Sequence, residues 1–224
     1  MTKHLCIAML ATVGITTAYG QGQREKVSAS GTVKGHSGGL LHVMTKEGDQ
    51  YRVKPPPTVS YVGSATPEFL KRGMLVKFTA TFDAKGKVVA PVRDITIFTP
   101  TKDDKIGIYP NSGLSGNVKD LFTDVDTSQK QPEGKPYSVA GTITSARSGK
   151  IKVTAGRATV QIELADKARV SVDVSHLQFM QPGDNVSLDG WYSPAQKRDV
   201  VASKLTVSAA GTLGEPAKKP AAKE

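Results

Sequence analysis

Apolar and polar positions alternate with a period of two through most of this chain. Leu41, Val43 and Thr45 fall on one face of a strand, and His42, Met44 and Lys46 on the other. Glu47-Gly48-Asp49 then gives a hairpin signal before Tyr51-Arg52-Val53-Lys54, where Tyr51 and Val53 face inward. Met74, Val76, Phe78, Ala80 and Phe82 alternate with Leu75, Lys77, Thr79 and Thr81, and Asp83-Ala84-Lys85-Gly86 turns the chain into a last strand ending near Phe98. The same inward pattern returns in Ile151 and Val153, in Val160, Ile162 and Leu164, and in Val186 and Leu188. Between the third and fourth strands the period changes. Thr66 as a cap, Pro67 at the first helical position and Gly73 as a stop predict a short helix over 66–73, with a similar turn in 173–183.

These blocks are two copies of one module. Ser30-Gly31-Thr32-Val33 returns as Ala140-Gly141-Thr142-Ile143, Leu41-His42-Val43 as Ile151-Lys152-Val153, and Phe69 to Val76 as Phe179 to Val186. Each pair is separated by 110 positions, as Gly31 is from Gly141, and a chance alternation does not hold one spacing across three separated blocks. Val88-Val89-Ala90 resembles Val200-Val201-Ala202 at a spacing of 112, so a small length change lies nearby.

Three strands, a short helix and two strands is the order of the OB fold, a five-stranded, partly open Greek-key barrel. The expected fold class is therefore all-β, with two tandem OB-like barrels at 27–98 and 137–208, each carrying a short helix between strands 3 and 4. Gly31 and Gly141 are placed where a long first strand bends around a barrel corner. An SH3-like or sandwich module is the alternative. Gly-Thr-Ile, the short hairpin, Pro182-Gly183-Asp184-Asn185-Val186 and the closing Val200-Val201-Ala202 resemble exported bacterial β-barrel domains of unknown function. The second copy matches better. The first has Arg72-Gly73-Met74 in place of Pro182-Gly183-Asp184, and an insertion at Pro55-Pro56-Pro57. The resemblance implies a fold and a location, and brings no activity with it.

The ends of the chain read differently. Residues 1–20 combine Lys3 and His4 with an apolar run from Leu5 to Ile15, and Ala18 and Gly20 stand at −3 and −1 of a cut before Gln21. That is the layout of a secretory signal, too short for a stable membrane anchor. Cys6, the single cysteine, lies too early for lipidation and would leave with the signal. The mature protein is expected to be exported, periplasmic or extracellular. Residues 99–136 read as a linker, in which 114–126 form a short helix or pack across the domains. Residues 209–224 read as a disordered tail unable to bury apolar surface.

Composition then narrows the chemistry. The 224 residues carry 30 Lys and Arg against 20 Asp and Glu, a formal charge of +10. No His pair, Gly-x-Ser-x-Gly elbow, phosphate loop or dinucleotide fingerprint occurs after residue 20, so no catalytic residue, cofactor or metal is expected. His42 with Met44 resembles the His, Met and Trp sets of exported OB-fold copper carriers, which leaves periplasmic copper binding as a minor alternative. Region 27–98 holds ten basic residues against five acidic, and 137–208 nine against six. With the apolar set inward, His42, Lys46, Arg52, Lys54 and Lys77 share an outer wall. The candidate binding residues are His42, Arg52, Lys54 and Lys77 in the first copy, and Lys150, Lys152 and Trp191 in the second. Trp191 alternates outward, to stack a base or sugar or to pack on the other module or the connector. Aromatics make up only 6% of the chain, which argues against a dedicated single-strand nucleic-acid binder. The expected role is an exported, non-enzymatic binding or scaffold protein with an unknown protein or polyanionic partner. The alternative is polyanion binding, to single-stranded nucleic acid or acidic polysaccharide.

Overall fold

The computed structural model describes residues 24–110, 134–147 and 149–215. Among these residues twelve strands run in chain order: β1 (Glu25–Ser37), β2 (Leu40–Thr45), β3 (Gln50–Lys54), β4 (Ser60–Ala65), β5 (Leu75–Phe82), β6 (Val92–Phe98), β7 (Gly107–Pro110), β8 (Lys135–Arg147), β9 (Lys150–Ala155), β10 (Ala158–Val174), β11 (Asn185–Tyr192) and β12 (Asp199–Ser208). β1, β2 and β5 recur as β8, β9 and β11 at the 110-residue spacing. The inward sets are buried as the alternation requires, with Leu41, Val43, Val53, Val76, Ile143, Val153, Ile162 and Leu188 all in the core.

The strands close into rings, but each ring mixes the two copies. β1 pairs with β2, β2 with β3, β3 in parallel with β12, β12 with β11, and β11 back with β1, completing a five-stranded barrel. Three of its strands come from the first copy and two from the second. The reciprocal set, β8, β9, β10, β6 and β5, is linked by the corresponding pairings, with Leu164 opposite Val92 as the parallel contact. The expectation of one barrel within 27–98 and another within 137–208 therefore gives way to an exchange of the last two strands. The crossing is visible in β10, a single strand of 17 residues whose first part pairs with β9 and whose second part pairs with β4. At about 3.3 Å per residue it extends roughly 55 Å, well beyond one small barrel. Strand 3 there continues into strand 4 past a register shift between Leu164 and Arg169, and β11 and β12 follow on the other ring. In the first copy Pro55-Pro56-Pro57, with no N–H to donate, interrupts the same passage between β3 and β4.

β4 and the second half of β10 lie antiparallel between the rings, from Val170 opposite Ala65 to Val174 opposite Tyr61. β12 and β6 flank this pair in parallel. Phe69 and Phe179, equivalent residues of the two copies, meet edge to face at 5.2 Å beside it. The corner glycines sit where one strand changes partner. Gly31 lies opposite both Val186 and Thr45. A Cβ there would run into the Met44 carbonyl oxygen, and one on Gly141 into that of Thr154.

Two local expectations are corrected. The stretch 66–73 forms only a three-residue 3-10 turn, Pro67–Phe69, without a side-chain cap from Thr66. In the second copy β10 continues to Val174 and turns follow, with no helix in 173–183. Both stretches are too short to sustain a helix by their own hydrogen bonds. Of the expected tail, 209–215 is ordered: Ala209 N–H bonds the Val62 carbonyl, Leu213 N–H that of Ser64, and Leu213 is buried. Of the expected linker, 107–110 forms β7 on the edge of β8. The signal layout at 1–20, Cys6, the segment 114–126 and the end of the tail lie outside the described residues.

Candidate ligand wall

The hairpin that presents the first ring's wall is set by its turn. Thr45 and Asp49 close it, with Thr45 N–H bonding the Asp49 carbonyl at 2.8 Å and Asp49 N–H the Thr45 hydroxyl at 3.1 Å. With Leu41, Val43 and Val53 inward, His42 and Arg52 stand opposite each other on the outside. Arg52 faces Asp199 of β12 in turn and holds it with two bonds, Nε to Oδ1 at 2.6 Å and Nη2 to Oδ2 at 2.7 Å. One step along, Lys54 lies opposite Val201, Val201 opposite Trp191, and Trp191 opposite Lys26. The Arg24 guanidinium lies 4.1 Å over the Trp191 ring, within cation–π range. A shallow groove of about 770 Å³ crosses this wall, lined by Lys34, His36, His42, Met44, Arg52 and Arg198 among others.

The exchange divides the residues singled out from the sequence. His42, Arg52, Lys54 and Trp191 come together on the first ring, although Trp191 belongs to the second copy. Lys77 does not share their wall: β5 pairs with β8, which puts Lys77 on the second ring with Lys150 and Lys152. Alternation had assigned the correct face of β5 but could not reveal which ring β5 enters. Arg24, Lys26, Lys34 and Arg198 complete the first wall and were not singled out. Lys34 was legible as an outward residue, whereas Arg198 reaches the groove only through the exchange, its carbonyl accepting Arg52 N–H at 2.8 Å.

Each wall holds one of the cations named above in an ion pair. Among the described residues Lys34, Lys54 and Arg198 form no ion pair, and Arg52 alone is matched, by Asp199. On the second ring Lys150 pairs with Glu163 at 3.2 Å and Lys152 stands opposite the neutral Gln161. The Lys77 ammonium lies 5.2 Å from the Phe98 ring. Nearby Asp104 has its carboxyl held below the usual range, first by the Thr101 N–H and hydroxyl and then by Lys77.

Inside, the copies differ at one polar cluster. Asp184, which stands where the first copy has Met74, is buried. Its carboxylate accepts Gln181 N–H at 2.8 Å, Ala210 N–H at 3.0 Å and the Tyr61 hydroxyl at 3.3 Å. Burial, followed by the Asp184 charge and hydrogen bond, pushes the Tyr61 phenol well above its ordinary range. The cluster clasps β4, the 181–184 turn and the ordered tail together. His42 and Met44 both reach the groove, and no three His, Cys, Asp or Glu side chains gather into a metal-binding group among the described residues. No protein-family model, curated protein or solved structure matches the chain, and the reading of the wall therefore rests on its own geometry.

Proposed function

We propose that this is an exported, non-enzymatic binding protein built on OB-like barrels, and that it holds an anionic polymer on the outer wall of the first ring. One observation carries the reading: Lys34 and Arg198, which form no ion pair among the described residues, line one groove with Arg52 and His42, and on the same ring Lys54 and Trp191 stand on either side of Val201. Cations not held in ion pairs are free to replace the counterions of a polyanion, and the release of those counterions makes association entropically favourable at low salt. A flat indole beside them offers a face to a base or a sugar ring. OB barrels commonly bind extended polymers across strands 2 and 3, and here those strands are β2 and β3.

The test uses the chain from Gln21 with labelled single-stranded DNA, RNA and an acidic polysaccharide, followed by anisotropy at 50 and 200 mM salt. Four neutralised phosphates on a single strand correspond to roughly a fifty-fold loss of affinity over that range. The double variant Lys54→Ala/Arg198→Ala is expected to weaken binding and flatten the salt slope. Lys150→Ala/Lys152→Ala on the second ring is expected to leave both nearly unchanged. Equal losses from the two double variants, or no binding at 50 mM, would overturn the assignment and favour a protein partner.

A further inference from the structure

Each ring has a groove at the seam where its third strand meets its closing strand. In the first ring β3 lies parallel to β12, with Arg52 opposite Asp199 and Val53 opposite Val200. The groove at the mouth of this seam measures about 490 Å³ and is lined by Asp49, Gln50, Tyr51, Tyr192, Lys197 and Arg198 among others. Gln50, Tyr51 and Arg198 also line the groove of the cationic wall, so the two grooves share a side. In the second ring a groove of about 540 Å³ takes the corresponding place, between 85–91 and 159–163. The hairpin registers set Tyr51 opposite Val43 and Val160 opposite Val153. Tyr192 and Phe82 hold equivalent places, opposite Glu25 and Lys135. The exchange thus brings two phenols, one from each copy, to the first seam, where the second ring has a valine and a phenylalanine.

We propose that the first seam is a saccharide subsite, taking an acidic sugar residue of a polyanion held on the cationic wall. The proposal rests on that wall and selects acidic polysaccharide over single-stranded nucleic acid. A sugar ring presents an apolar face bordered by hydroxyls. Tyr51 and Tyr192, both half-buried, each offer an apolar body with a polar tip to match it. The Tyr192 hydroxyl donates to Glu25 Oε2 at 2.7 Å, which orients the ring before any ligand arrives. Trp191 is less free, because the Arg24 guanidinium already lies over its ring. Asp49 decides between the two polymers. It is exposed in the seam, and its carboxylate forms no ion pair among the described residues. A carboxylate accepts strongly from sugar hydroxyls and repels a phosphodiester. Lys197 and Arg198, from the loop before β12, supply the counter-charge for a sugar carboxylate.

Anisotropy at 50 mM salt tests it, with the chain from Gln21, a labelled galacturonate oligomer and single-stranded DNA of equal charge. The galacturonate oligomer is expected to bind more tightly than the DNA. Tyr51→Leu, which keeps apolar packing but removes the ring, is expected to weaken oligomer binding roughly tenfold, and Tyr51→Phe to retain it. Asp49→Asn is expected to weaken the oligomer about fivefold and to strengthen the DNA. The turn at Asp49 is closed by backbone groups and the Thr45 hydroxyl, so this variant keeps the fold. DNA bound as tightly as the oligomer, or an oligomer affinity unmoved by Tyr51→Leu or by Asp49→Asn, would overturn the saccharide subsite and leave the polyanion wall standing. No binding of either probe would overturn both.

Discussion

The first and second rings follow the same strand path and bury equivalent apolar sets, yet they present different surfaces and close their cores differently. The first ring gathers Lys34, Lys54, Arg198 and Trp191 outside, and is clasped inside by Asp184 and Tyr61. The second ring meets Lys150 with Glu163, and has Met74 and Val172 where the first has the acid and the phenol. A repeated barrel thus keeps its inward alternation while its outward residues diverge, and so does the buried acid Asp184. Burial constrains volume and polarity at every inward position, whereas a solvated outward position tolerates most exchanges.

Three experiments bear on that comparison, from the largest expected effect to the smallest. A protease site placed within 111–133 and then cut tests whether the rings share their strands. The fragments are expected to co-elute in native size exclusion and to separate only in denaturant, because each ring needs strands from both pieces. Fragments that elute apart and remain folded would mean that each copy closes its own barrel. Gly31→Ala and Gly141→Ala come next. Each drives a methyl group into a backbone carbonyl, and each is expected to lose about 3 kcal/mol of stability in urea unfolding. Similar losses are expected because the corner is the same in both rings.

The smallest effects concern the clasp. Asp184→Ala leaves two backbone N–H groups and a buried phenol without their acceptor, a loss of about 2 kcal/mol. Met74→Ala at the equivalent, half-buried position is expected to lose about 1 kcal/mol. The clasp also has a pH signature. The Tyr61 phenol is raised above its ordinary value of 10.0, so its contribution is fully present below pH 10. Above that pH the unfolded chain loses the proton while the folded chain keeps it, and stability falls as pH rises. Urea midpoints between pH 9 and 11 are expected to fall less in Tyr61→Phe. An unchanged slope would mean that Tyr61 does not ionise on unfolding in this range.

Much of the site was legible residue by residue but not as a group. His42, Arg52 and Lys54 could be placed outside because Leu41, Val43 and Val53 had to be inside. Trp191 could be placed outward, but Lys26 beside it and Lys54 beyond Val201 precede the second copy and are brought near it only by β1 and β12. Lys77 failed in the opposite sense, with the right face on the wrong ring. Asp184 was visible only as part of a Pro-Gly-Asp turn. Its burial depends on Tyr61 and Ala210, 123 and 26 residues away.

By itself the amino-acid order determined the positions of most strands, the face of each that is buried, the 110-residue repeat and the glycine corners. All of these follow from local alternation and from backbone sterics. Which strand pairs with which was decided only by the tertiary structure. The two copies offer nearly the same edges and the same apolar faces, so pairing within a copy and pairing between copies bury similar surfaces. In both copies the chain leaves its own ring after the third strand, through β4 in one and the second half of β10 in the other, and the antiparallel pairing of these two segments accompanies the exchange.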